Sequence, residues 1–133
     1  MSQTNIQIVR HFIEALDDLS VIDTMLSSDF LWQSSEGCMN RAEYKAALTE
    51  PLSPGVSEET VLTDIREVGG NWVFASATTM SRGSDAMGRY RTIKATSNAY
   101  YRVLNSKIVE ARSDSSRLEE WENGHWTLVE PNT

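Results

Sequence analysis

The spacing of apolar residues changes once along this chain of 133 residues, near residue 55. Before that point apolar side chains recur every three or four residues, as they do on one face of an α-helix. After it, β-branched and aromatic residues alternate with polar ones between short turn motifs, which is typical of β-strands. No repeat, low-complexity tract or linker divides the chain. The order of helices first and strands after predicts one α+β domain over residues 1–133.

Three apolar stretches in the first half are each preceded by a helix start signal. The paired residues are Thr4 with Gln7, Ser20 with Asp23, and Asn40 with Glu43. In such a pair the first side chain caps the helix and the second reaches back to it. The signals predict helices over about 4–18, from 20 to before Phe30, and over 41–49, the last ended by Pro51 in a loop over 51–55.

Turn motifs divide the second half into strands. They are Gly69-Gly70-Asn71, Arg82-Gly83-Ser84-Asp85, Leu104-Asn105-Ser106 and Asn123-Gly124. The predicted strands are roughly 60–68, 72–81, 89–103, 107–116 and 118–130, with a turn inside the last, so that the sheet has five to six strands. The turns are too short for crossover helices, and the sheet is therefore predicted to be antiparallel.

Charge and composition exclude several classes of function. The chain has 12 Lys and Arg against 19 Asp and Glu, a net charge of −7, which disfavours nucleic acid and anionic membranes as partners. It has no apolar run long enough for a membrane span and no signal-peptide pattern at its start, so we expect a cytoplasmic protein. No phosphate-binding or dinucleotide motif occurs, and we expect no cofactor.

The residues that most often form metal or nucleophilic sites are few. His11 and His125 are the only histidines, too few for a histidine-rich metal site. His11 is expected in solvent or at a dimer contact, and His125 is expected in solvent. Cys38 is the single cysteine, which excludes an internal disulfide and suits a reducing compartment. Because no histidine is placed to activate it, Cys38 is expected to be a buried spectator.

Strand 72–81 is apolar on both of its faces, unlike its neighbours. Trp72, Phe74 and Met80 lie on one face, and Val73, with the alanines that follow, lies on the other. Helices on one side of the sheet would leave the first set in water. We therefore expect a homodimer formed through Trp72, Phe74 and Met80.

Several short motifs follow one another in a recognisable order. The first half carries Phe12-Ile13-Glu14-Ala15-Leu16, Asp29-Phe30-Leu31-Trp32, Glu36-Gly37 and Asn40-Arg41-Ala42-Glu43-Tyr44. The second half carries Tyr101-Arg102-Val103 and, after a turn, Lys107-Ile108-Val109-Glu110-Ala111-Arg112. Together they resemble the nuclear transport factor 2-like superfamily. The resemblance implies a cone of three N-terminal helices packed in a curved antiparallel sheet, with a pocket open at one end and a dimer through the outer sheet face.

The superfamily includes ketosteroid isomerases, SnoaL-type polyketide cyclases, dehydratases, epoxide hydrolases and non-catalytic members, so the fold does not give the function. The positions that match the isomerase base, oxyanion aspartate and tyrosine hold Ser34, Ala99 (Asn98 with a one-residue slip) and Phe12. The position of the cyclase acid holds Ser113. Asp114, the next residue, is predicted on the opposite face unless a β-bulge turns it inward.

The aromatic residues predicted to point into the cone face alanines across it. Large residues opposite alanines favour an apolar pocket with a few hydroxyl groups over a filled core. The residues expected to line it are Phe12, Trp32, Ser34, Tyr44, Ala77, Thr79, Ala99, Tyr101, Ala111 and Ser113.

Three functions fit this pocket. The first is the binding of a small hydrophobic molecule. The second is an isomerase, cyclase or dehydratase acting on a hydrophobic carbonyl compound, with Asp114 or Asp64 as base and a tyrosine as hydrogen-bond donor. The third is an interaction module whose pocket is vestigial.

Overall fold

The computed structural model describes residues 4–16, 18–48, 56–84 and 87–129, and the predicted loop over 51–55 lies outside them. The helices are α1 (Asn5–Glu14), α2 (Ser20–Met25) and α3 (Arg41–Leu48). The strands are β1 (Leu26–Ser34), β2 (Gly37–Asn40), β3 (Ser57–Gly69), β4 (Trp72–Ser84), β5 (Tyr90–Leu104), β6 (Lys107–Glu122) and β7 (His125–Leu128).

Two of the three predicted capping pairs form. Thr4 and Gln7 make a reciprocal capping box at α1, and Asn40 and Glu43 make one at α3 with bonds of 3.0 and 2.8 Å. The helix α2 also begins at Ser20 as predicted, but the expected pairing of Ser20 with Asp23 does not form, because the N-cap residue is Leu19, whose side chain makes no capping hydrogen bond. The N–H and hydroxyl of Ser20 donate to the Asp18 carboxylate at 3.1 and 2.8 Å, and these bonds hold the pKa of Asp18 below its usual value.

The sheet is mixed and has seven strands, which corrects the prediction of an antiparallel sheet with five to six. Its order is β2-β1-β6-β5-β4-β3, with β7 beside β6. β1 pairs in parallel with β6, while the remaining neighbours are antiparallel. The strands missing from the prediction are β1 and β2, and they separate α3 from the two helices before it.

The C-terminal hairpin turns where Asn-Gly predicts it. Asn123 and Gly124 have φ angles of 50° and 85°, the left-handed conformations that a tight hairpin turn requires. The break predicted between 116 and 118 is absent, because β6 runs without interruption from Lys107 to Glu122. The strand contains a bulge instead: Ala99 pairs with Ser113 and Asn98 with Ser115, so Asp114 is the extra residue.

The core lies between α1 and the inner, concave face of the sheet. Ile8, Val9 and Phe12 of α1 are buried together with Val103 of β5 and Ile108 of β6. Alternate residues of each strand point to this face. The helices pack against these residues and therefore cover only one side of the sheet. None of the described helices has the length and apolar character needed to cross a membrane.

The outer face carries an aromatic and arginine cluster, formed by Trp72, Phe74, Tyr100, Arg66, Arg102 and Arg112. Phe74 and Tyr100, partners across β4 and β5, have ring centroids 5.3 Å apart. The arginine guanidinium groups lie over the rings, Arg66 at 5.0 Å from Phe74 and Arg112 at 5.3 Å from Trp72. Such contacts shield the rings in part, and Trp72 and Phe74 are half-buried as a result.

Candidate functional site

A cavity of about 580 Å³ opens inside the curved sheet. Its walls come from the end of α1, from α3, and from the inner faces of β1 and β3–β5. Its volume is in the range of small-molecule sites, roughly 300–1,000 Å³. The lining residues are Ile13, Glu14, Leu16, Trp32, Tyr44, Leu48, Glu58, Thr60, Ala75, Ala77, Thr79, Ser97, Ala99 and Tyr101.

The cavity exists because the sheet presents small residues where α1 ends. Ala75 and Ala77 on β4 and Ala99 on β5 point inward. Across from them, Ile13 and Leu16 belong to the end of α1 and the turn that follows it. A methyl group at each sheet position leaves room that a larger side chain would fill, and the resulting wall is apolar.

Polar groups are concentrated toward the open end. The hydroxyls of Thr60 and Thr79, partners across β3 and β4, are 2.8 Å apart. Glu58, two residues before Thr60, accepts a hydrogen bond of 3.4 Å from the Ser81 hydroxyl. Glu58 and Glu14 are both exposed, so the carboxylates of the lining face water rather than the apolar wall.

Two tyrosines lie deeper in the wall. Tyr44 of α3 packs against Phe30 and Trp32 with ring centroids 5.5 and 5.3 Å apart, and Tyr101 of β5 meets Phe12 edge to face at 6.3 Å. Burial raises the pKa of Tyr101 to about 12. The pKa of Tyr44 is raised by burial and, to a smaller extent, by the nearby Tyr101. Both phenols therefore keep their protons at physiological pH.

A second depression, of about 400 Å³, lies on the surface between α2 and α3 and is more open than the cavity. It is crossed by the ion pair of Asp23 and Lys45, 2.6 Å long. Among the described residues, no group of three or more His, Cys, Asp and Glu side chains is arranged to hold a metal ion.

Comparison with solved structures identifies the architecture. IdmH from Streptomyces antibioticus, a candidate polyketide cyclase, matches with a TM-score of 0.68 at 18% identity, over 84% of this chain and 91% of its own. A Mycobacterium tuberculosis LEH-like epoxide hydrolase matches at 0.63 and 17%, over 82% and 80%. A nuclear transport factor 2-like protein of unknown function from Burkholderia pseudomallei matches at 0.60 and 20%, over 85% and 91%.

The chain has the nuclear transport factor 2-like fold. No protein-family model and no curated protein matches the sequence. At these identities the structural matches show the fold alone.

Within this nuclear transport factor 2-like cone, six of the residues predicted to line a pocket do surround the cavity. They are Trp32, Tyr44, Ala77, Thr79, Ala99 and Tyr101. The other four lie elsewhere. Phe12 and Ala111 are fully buried in the core, Ser113 is half-buried on β6, and Ser34 closes the β1–β2 turn, accepting from the Glu36 N–H at 3.2 Å.

The predicted acids and nucleophiles lie outside the cavity. The bulge that could turn Asp114 inward is present, yet Asp114 is exposed and does not line the cavity. Asp64 is exposed on β3 and pairs with Ser76. His11 and His125 are exposed, as expected. Cys38 is exposed too, which corrects its prediction as buried; it lies on the short strand β2, whose residues are mostly exposed.

Eight lining residues were not among the predicted site residues: Ile13, Glu14, Leu16, Leu48, Glu58, Thr60, Ala75 and Ser97. The pattern of the strands was sufficient to place two of them, Thr60 and Glu58, on the inner face. The antiparallel register that pairs Thr60 with Thr79 puts both on the inner face, and alternation then places Glu58 there as well. Glu14 follows Ile13 at the end of α1, where the last turn of the helix reaches the mouth.

Proposed function

We propose that this protein binds a small hydrophobic molecule in the cavity of its cone. The observation that carries the proposal is the composition of the wall, in which alanine, aliphatic and aromatic side chains enclose about 580 Å³. Hydroxyl groups of Thr79, Ser97 and Tyr101 are set among them. Sites of this kind gain affinity from apolar burial and selectivity from a few polar groups.

An enzymatic role is the second candidate, and two observations favour it. IdmH and the epoxide hydrolase, which share the fold, carry names of enzymes that act on small organic molecules. The exposed carboxylates Glu14 and Glu58 also line the cavity and offer a base that differs from the predicted Asp114. Against it, none of the charged residues in the described chain is buried, whereas bases of this kind are commonly tuned by burial.

The binding proposal is tested with N-phenyl-1-naphthylamine, a neutral apolar dye that fluoresces when removed from water. We expect saturable fluorescence and a rise in melting temperature with the wild type. Ala99→Leu, which projects three added carbon atoms into the cavity, should abolish both. Thr96→Leu introduces the same side chain on the outer face of β5 and should leave binding intact. Equal dye binding by all three proteins would show that the dye does not enter the cavity.

The enzymatic alternative is tested with the same proteins. The substrates are a β,γ-unsaturated ketone and styrene oxide. If the wild type and Asp114→Asn turn over either substrate and Glu58→Gln does not, the function is catalysis rather than binding. Saturable dye binding without turnover of either substrate supports the binding role.

We also propose a homodimer formed through the outer-face cluster. Its aromatic rings are half-buried under arginines, and the three helices pack on the other side of the sheet. Glu110 neutralises part of the positive charge by contacting Arg112 at 2.8 Å and Arg102 at 3.6 Å, which lowers the repulsion between two such faces.

The unpaired Cys38 supports a cytoplasmic location.

A further inference from the structure

The inner face of the sheet continues past the residues that line the cavity. Thr79 of β4 lines the cavity and pairs with Ala95 of β5, which pairs in turn with Leu118 of β6. Residues paired across neighbouring strands point to the same face of a sheet. Ala95 and Leu118 therefore lie on the face of the cavity, level with its mouth. Ile93, the next inward-facing residue of β5, pairs with Ser81 one step farther out.

The shelf, as we name the surface formed by Ile93, Ala95 and Leu118, is apolar and lies open. Ile93 and Ala95 are half-buried, and Leu118 is 41% exposed. Ala77, deeper on the same face, packs against the core, but none of the shelf residues does so in the described part of the chain. Helix α1 ends at Glu14, in the lining of the cavity. The fold thus leaves three apolar side chains partly in water beside an apolar cavity.

The far end of the shelf is closed by an ion pair. Glu120 of β6 pairs with Ile93 in the sheet, and its carboxylate accepts a hydrogen bond of 2.9 Å from the Arg91 guanidinium. Along β5, Ala99 in the cavity and Ile93 on the shelf are six residues apart, which is about 20 Å of strand. The cavity and the shelf therefore form one apolar trough of this length, bounded by charged groups at its outer end.

The charge along the trough limits the ligand further. The described residues that line the cavity include no lysine, arginine or histidine, but they include the carboxylates of Glu14 and Glu58. Glu58 lies on β3 at the level of the shelf, and the positive charge of Arg91 beyond it is balanced by Glu120. An anionic ligand would find no counter-ion on this path, so the trough favours an uncharged molecule.

We propose that the cavity and the shelf together hold one elongated, uncharged molecule, with a ring system in the cavity and an alkyl chain along the shelf. The cavity has room for a ring because alanines form its sheet wall, and Trp32 and Tyr101 offer aromatic surfaces to it. On the shelf, a chain removes from water both its own methylenes and the side chains of Ile93, Ala95 and Leu118. This inference rests on the proposed binding function and adds the length and shape of the ligand.

The test compares two uncharged probes that share one ring system, 2-methoxynaphthalene and 2-octyloxynaphthalene. Their dissociation constants are measured by displacement of N-phenyl-1-naphthylamine from the wild type. A fully buried methylene raises affinity about fourfold, and one covered on a single side raises it about twofold. The longer chain should therefore tighten binding about a hundredfold.

The variants Leu118→Ser and Ile93→Ser remove apolar surface from the shelf and leave the lining of the cavity unchanged. Each should weaken binding of the long probe about fivefold, which corresponds to roughly 40 Å² of lost apolar contact, and should leave binding of the short probe unaffected. Leu128→Ser is the matched control. Leu128 is 48% exposed, close to the value for Leu118, but it pairs with Glu119 and therefore lies on the outer face. Its substitution should change neither affinity.

The outcomes separate this inference from the binding proposal. A long probe that binds no more tightly than the short one, or that is unaffected by both shelf variants, would overturn the shelf as a binding surface and keep the cavity as the site. The same conclusion follows if Leu128→Ser weakens the long probe as much as Leu118→Ser does, or if the shelf variants weaken both probes equally. Failure of both probes and of the dye to bind would overturn both proposals.

Discussion

Two buried alanines on neighbouring strands should respond in opposite ways to the same enlargement. Ala99 on β5 lines the cavity and is 5% exposed. Ala111 on β6 is 0% exposed, belongs to the packed core and does not line the cavity. Replacing each by leucine adds three carbon atoms in the same direction, toward the inside of the cone.

The magnitudes follow from burial. In Ala99→Leu the added carbons enter empty space and gain at most ~2.4 kcal/mol, at about 0.8 kcal/mol per buried methylene. Ordering the leucine side chain costs about 0.5–1 kcal/mol of this, so the free energy of unfolding should stay level or rise by up to ~1.9 kcal/mol. In Ala111→Leu the same atoms meet close-packed neighbours, and the expected loss is about 1–3 kcal/mol.

Urea unfolding of the two variants and the wild type gives these differences directly, provided the slope with denaturant is unchanged. We expect the free energy of unfolding of Ala99→Leu to lie about 1–5 kcal/mol above that of Ala111→Leu, the sum of the gain and the loss derived above. A loss of about 2 kcal/mol or more in both variants would mean that the space beside Ala99 is filled in solution. The binding proposal would then lose its physical basis.

Three other perturbations test separate parts of the structure. Phe74→Asp puts a charge into the outer-face cluster and should convert the proposed dimer into a monomer of 14.9 kDa in sedimentation; a wild type that is monomeric at micromolar concentration would contradict the proposed dimer. The folded state holds the Tyr101 proton to about pH 12, and the unfolded chain releases it near pH 10, so stability is complete below pH 10 and falls above it. Between pH 8 and 11 the wild type should therefore lose about 1.4 kcal/mol more than Tyr101→Phe in urea unfolding, and equal losses would place the phenol in water. Thr4→Ala removes the capping box of α1 and should cost about 1 kcal/mol of unfolding free energy, while Thr24→Ala, on an exposed surface of α2, serves as the control.

Features decided by neighbouring residues could be predicted from the sequence. The capping boxes at Thr4 and Asn40 and the hairpin at Asn123 involve groups no more than three positions apart. The inner face of β5 could be assigned from alternation, and with it Ala99 and Tyr101 of the cavity.

Features that depend on contacts between residues distant in the chain could not be predicted from the sequence. β1 begins at Leu26 directly after α2 ends at Met25, with no turn residue between them to signal the change. Its pairing with β6 joins Trp32 to Ala111, far along the chain, and only this pairing reveals the strand as part of a mixed sheet. The surroundings of Ala111 could not be predicted either. Its small side chain suggested an empty space, but residues distant in the sequence pack against it and fill that space.

The parallel pairing of β1 with β6 also bears on the order in which the chain can fold. Strands β3 to β6 are joined by short turns and close small loops, whereas Leu26 meets Ile108 across a loop of about 80 residues, whose closure carries a larger entropic cost. We therefore expect the meander to form first and β1 to dock afterwards, so that Leu26→Ala mainly speeds unfolding while Ala75→Gly mainly slows folding. Since β1 carries Trp32 into the wall of the cavity, we expect the cavity to be completed only at the end of folding, and with it the proposed binding of a ligand.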